Sequence, residues 1–178
     1  MSEKNDAYSD VKGQMRLSER IAAFIPGFRG YKEKELRRES DRLIRNHLYL
    51  KLSTAKTDLR EISQKLADRR YFDVLTDMDR LLAKMDRVVE KVNHASYGYS
   101  GFFDAVKVRE ENLDRMIDFD NQLLESINAL ATEIDALKAE LASGVTSNLK
   151  TRVQNVTDKL ESLEDTFDKR EEVISGVS

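Results

Sequence analysis

Apolar residues recur along most of this chain at alternating steps of three and four, the spacing that lays a hydrophobic stripe down one face of a helix. Leu17, Ile21, Phe24, Ile25 and Phe28 give the first stripe, which predicts a helix over about residues 9–25 that Pro26 and Gly27 end. A second helix is predicted over about 31–67. Its opening, YKEKELRRESDR, is polar, and Leu43, Ile44, Leu48, Leu52, Ala55, Leu59, Ile62 and Leu66 then keep one face apolar. Carrying that phase forward would place Arg69, Asp73, Thr76 and Arg80 on the stripe. A fresh register starts instead, with Tyr71, Leu75, Met78, Leu82, Met85, Val89 and Val92, so a reversal is predicted at about 68–73, although a stutter in one continuous helix would also shift the register.

The helical pattern then breaks at residues 93–107, NHASYGYSGFFDAVK, where Tyr97, Tyr99, Phe102 and Phe103 crowd around Gly98 and Gly101. A fourth helix is predicted over about 103–141, carrying Met116, Phe119, Leu123, Ile127, Leu130, Ile134, Leu137 and Leu141, with Ile117, Leu124 and Ala131 widening the stripe. Ser143 and Gly144 interrupt it. A fifth helix over about 147–174 carries Leu149, Val153, Val156, Leu160, Leu163 and Phe167. The predicted fold is all-α: an elongated antiparallel bundle of five helices with coiled-coil-like packing, one domain over residues 1–178 with flexible tails at 1–8 and 175–178.

Lengths suggest how the helices share space. The first and third helices, each folded back on the second, would meet end to end near His47, and the aromatic stretch would plug that seam. Phe28, Tyr31, Arg38, His47, Tyr97, Tyr99, Phe102, Phe103 and Lys107 are the seam residues expected to hold a partner.

Composition narrows the chemistry. There is no Cys and one Pro, and 35% of residues are charged, so disulfides, thiolate metal sites and cysteine nucleophiles are excluded. The net charge of −3 is uneven: residues 1–103 carry 21 basic and 16 acidic groups, residues 104–178 carry 9 and 17. The N-terminus lacks the apolar core of a secretory signal, and no apolar run reaches the length of a membrane span. The expected location is cytoplasmic, or peripheral at the inner face of the membrane.

Two histidines are present, His47 and His94. Glu90 and His94 share a helix face, yet no Glu-x-x-His pair of the kind that di-metal bundles use occurs, so neither metal nor cofactor is expected. Glu110, Glu111, Asp114, Asp118 and Asp120 crowd the start of the fourth helix, where they complement its dipole. Asp120 differs in flanking the apolar stripe, and a buried carboxylate there needs a basic partner such as Arg42, Arg45 or Lys107. The basic run from Arg29 to Arg45 is interleaved with Glu33, Glu35, Glu39 and Asp41, which reads as a self-paired solvated face, not as a nucleic-acid patch. Ile21, Phe24, Ile25 and Phe28 beside Arg16, Arg20 and Arg29 have the composition of a helix lying in a lipid interface, or of one that packs on its neighbour.

IPGFRGYKEKELRRESDRLIR at 25–45 and YGYSGFFDAVKVREENLDRMIDFD at 97–120 resemble blocks found in the same order in a family of uncharacterised prokaryotic helical proteins. That resemblance implies a helical protein and brings with it no enzymatic activity or ligand. More loosely, an amphipathic first helix before a long hairpin is similar to membrane-remodelling helical proteins of the phage-shock type. The expectation is a non-enzymatic interaction or scaffold module that self-associates or docks a protein partner, with no nucleic acid. The alternative is a peripheral membrane-binding protein using Ile21, Phe24, Ile25 and Phe28.

Overall fold

In the computed structural model, residues 18–28, 34–95 and 110–175 are described, with side chains over 18–28, 39–95 and 114–172. They form five helices: α1 (18–24), α2 (Lys34–Asp68), α3 (Phe72–His94), α4 (Glu110–Ser143) and α5 (Leu149–Ser175). No strand occurs among the described residues. The protein is an all-α helical bundle, as the stripes predict. The starts of the first and fourth helices, the aromatic stretch at 97–103 and the tails lie wholly or partly outside the described residues.

The described residues divide into two compact units, one within Met1–His47, Ala95–Leu124 and Thr166–Ser178, the other within Leu48–His94 and Glu125–Asp165. Unit 2 is two hairpins. Leu52, Leu59, Ile62 and Leu66 of α2 are fully buried, as are Leu130 and Leu137 of α4 and Val156, Leu160 and Leu163 of α5. Branched aliphatic side chains at steps of three and four close-pack into such a seam.

Ion pairs on the rim give the neighbours. Lys56 pairs with Asp86 between α2 and α3, and Lys138 with Asp58 (2.9 Å) between α4 and α2. Arg152 pairs with Glu140 (2.8 Å) between α5 and α4. Asp77, Lys84 and Lys91 of α3 meet Lys150, Glu161 and Glu164 of α5 in the same order, so α3 and α5 run parallel while the members of each hairpin run antiparallel. Hydrogen bonding to Asp58 holds the Lys138 ammonium above its ordinary pKa, and Glu140 does the same for Arg152. These side chains are solvated, and such pairs orient helices more than they stabilise them.

The core of α3 is rotated from the predicted stripe. Val74, Met78, Leu81, Met85, Val88, Val89 and Val92 are buried, whereas Tyr71, Leu75 and Leu82 are half-buried. Leu75 and Leu82 each follow another aliphatic residue, so spacing alone leaves two registers open. Packing against both α2 and α5 selects the one whose apolar face points between them.

The reversal predicted at 68–73 is a tight turn at 69–71, not a stutter. The Tyr71 amide donates to the Leu66 carbonyl (2.9 Å) and the Arg70 amide to that of Ala67 (3.0 Å), the Schellman pattern, with Arg70 at φ 61°. In the other hairpin the corresponding residue is Gly144, φ 77°, which tolerates that conformation without a Cβ penalty. Arg70→Gly is therefore expected to stabilise the chain by roughly 0.5–1 kcal/mol, the left-handed strain of a non-glycine residue less glycine's added unfolded-state entropy. Urea unfolding measures this, and a destabilised variant would show that the arginine side chain matters more than its backbone.

Candidate functional site

In unit 1 the apolar stripes give way to charge. Asp41 lies three residues before Ile44 on α2, Asp120 four after Met116 on α4, and Arg170 three after Phe167 on α5, each a core step of its own helix. All three are closed to solvent, with Asp41 at 1% exposure and Asp120 and Arg170 at 0%. Ser40 and Asn121 are buried beside them in sequence, and Asn121 Nδ2 donates to the Ile117 carbonyl (3.0 Å).

One guanidinium joins two helices. Arg170 Nε donates to Asp120 Oδ1 at 2.6 Å, a charge-assisted hydrogen bond. Arg170 Nη1 lies 2.9 Å from Asp41 Oδ1, an ion pair whose atoms are not aligned for a hydrogen bond. The other Asp41 oxygen accepts from Arg45 Nε at 2.8 Å, and Arg45 reaches the rim of the unit, its side chain 12% exposed. Among the described residues each of the two aspartates thus meets an arginine, and pairing of this kind is the condition under which buried charge is tolerated. With no solvent access to the Asp41 and Asp120 carboxylates, what this arrangement supplies is electrostatic tethering of α2 and α4 to α5.

The sequence predicts a basic partner for Asp120, and among the described residues Arg170 is one. Arg45 pairs with Asp41, Arg42 is exposed, and Lys107 lies outside the described residues. Phe119, placed on the stripe from sequence, is half-buried, because Asp120 takes the core step. Continuing the three-and-four count one step before Ile44 in α2 and one step past Phe167 in α5 would have reached Asp41 and Arg170.

Of the residues expected to hold a partner at the seam, Phe28 is buried and His47 half-buried, both in unit 1. Tyr31, Tyr97, Tyr99, Phe102, Phe103, Lys107 and the side chain of Arg38 lie outside the described residues. Of the lipid-facing set, Ile21, Ile25 and Phe28 are buried in the unit and Phe24 is half exposed. α1 ends there in a turn in which the Phe28 amide donates to the Ile25 carbonyl (3.2 Å) and Gly27 adopts φ 89°.

His94 and Glu90 are in contact at 3.1 Å, both well exposed, an intrahelical pair on the surface of α3. No group of three or more metal-ligating side chains occurs among the described residues, and no described helix is long and apolar enough to cross a membrane.

Unit 2 exposes apolar groups at its turns. Phe72, the first residue of α3, is 64% exposed and Val145, in the α4–α5 turn, 46%. The two turns lie at one end of the unit, where the Arg69 guanidinium donates to the Leu141 carbonyl at the end of α4. Comparison of the chain with family models, with curated proteins and with solved structures finds no match in any of the three.

Proposed function

We propose that this protein is a non-enzymatic helical interaction module that self-associates or docks a partner protein. The observation that carries this reading is the pair of exposed apolar side chains, Phe72 and Val145, on adjoining turns that the Arg69–Leu141 hydrogen bond ties together. Apolar side chains exposed where two helical hairpins turn, on backbone that is already folded, lose little backbone entropy on docking, which is what a binding anchor requires. The buried charges of unit 1 fit the same reading, since they are spent on holding helices in place.

Light scattering coupled to size exclusion, over a range of concentrations, and capture of partners on the immobilised full chain test it. The expected result is a concentration-dependent assembly or a captured protein that Phe72→Asp/Val145→Asp weakens at least tenfold. A chain that stays monomeric and whose captured proteins ignore that double variant would remove the reading. Flotation with anionic vesicles is the companion measurement: vesicle binding lost in Phe24→Asp would transfer the function to the membrane alternative.

A further inference from the structure

The apolar stripes have a weakness that the charged layer corrects. Along the sequence of each helix, the buried apolar steps nearest the charged ones are Ile44 and Leu48 in α2, Leu123 and Ile127 in α4, and Leu163 and Phe167 in α5. Such side chains pack acceptably in more than one axial register, because a helix slid by one heptad, about 10.5 Å, presents much the same surface. Sliding α5 by seven residues would set Leu163 where Arg170 now stands. Asp120 and Asp41 would then face a leucine, two buried carboxylates that have both lost their contact with Arg170. Sliding α2 by seven would put Leu48 in the place of Asp41 and leave Arg170 with one carboxylate.

We propose that the Asp41–Arg170–Asp120 layer is a register lock, a device that selects one axial alignment of α2, α4 and α5 in unit 1 by penalising the others. Three observations support it. The charged residues occupy core steps, not flanks, on all three helices. A single guanidinium contacts both aspartates, at 2.6 and 2.9 Å, so moving any one helix breaks a contact. Arg45 holds the remaining Asp41 oxygen from the same helix, so the Arg170 contact is the one that ties Asp41 to another helix among the described contacts. A buried ion pair contributes little net stability compared with well-packed apolar residues, whereas breaking one is costly, and that asymmetry is what a lock needs.

The test uses the full chain, which has no cysteine of its own. Cysteines introduced pairwise at exposed Arg42, Asp118 and Lys169 carry spin labels whose separations report the alignment of the three helices. Two layers are compared with the parent, the apolar Asp41→Leu/Asp120→Leu/Arg170→Met and the neutral polar Asp41→Asn/Asp120→Asn/Arg170→Gln. The parent should give one narrow distance distribution per pair. The apolar variant should keep its helicity and melt at the same or higher temperature, yet give broad or multiple distances, and the polar variant, which has lost the same charges, should also broaden. Narrow, parent-like distances in the apolar variant overturn the proposal. If the apolar variant does not fold, the polar variant decides: broad or multiple distances uphold a lock based on charge, and one narrow, parent-like distribution overturns it.

Discussion

Arg170→Leu is expected to destabilise the protein by about 3–5 kcal/mol at neutral pH, the cost of breaking a buried ion pair by removing one partner. The substitution removes the Nε–Asp120 hydrogen bond and the Nη1–Asp41 ion pair together, and leaves two carboxylates at 0–1% exposure. Leucine fills part of the vacated volume, so little of the loss would come from an empty cavity. Unfolding by urea, followed by circular dichroism, gives the magnitude, and amide exchange gives the place. Protection should fall first in unit 1, at residues 114–124 and 166–172, while Met78 and Leu160 of unit 2 stay protected. A loss below about 1 kcal/mol would mean that water reaches the layer, and that the carboxylates are compensated without the arginine.

Phe167→Ala should rank beside it, at about 3–5 kcal/mol, because a fully buried phenylalanine loses both its transfer free energy and its packing when it is cut back to a methyl group. Phe72→Ala makes the same chemical change at a residue 64% exposed and should stay within about 0.5 kcal/mol. The contrast separates burial from side-chain type in one protein. Equal losses at the two positions would show that Phe72 is covered in solution, by a second copy or by the chain itself, and would locate the contact on the turn end of unit 2.

Much of this architecture was legible from spacing. The α2, α4 and α5 stripes are buried nearly as the three-and-four count places them, and Pro26–Gly27 and Gly144 end helices where glycine and proline chemistry says they should. Three things were less legible, each for a physical reason. Val74–Leu75 and Leu81–Leu82 are doublets, and a doublet satisfies two registers until a second neighbouring helix chooses between them. Arg70 occupies a left-handed position that favours glycine, so the composition of the α2–α3 turn gives no sign of its geometry. The charged layer was hidden because a search for stripes stops at the last apolar residue, one step short of Arg170 and Asp41. Asp120 drew attention by its apolar flanks, but its partner lies 50 residues away, beyond the reach of any local pattern. Of the aromatic stretch at 97–103, expected to carry the docking surface, the described residues say nothing.

The sequence distance between the members of the layer also bears on when it forms. Both hairpins of unit 2 join helices through turns of a few residues, so their contacts close quickly and with little loss of chain entropy. Arg170 and Asp120 are 50 residues apart and Asp41 is more distant still, so their meeting must wait until the helices that carry them have been gathered. The charged layer would then act as a final inspection of an assembled bundle, with no part in its nucleation. Kinetically, Arg170→Leu should accelerate unfolding and leave the refolding rate nearly unchanged, a φ-value near zero. A slowed refolding arm would place the layer in the nucleus instead. In the first case a misaligned chain is not steered away in advance; it comes apart faster than the correct one and tries again.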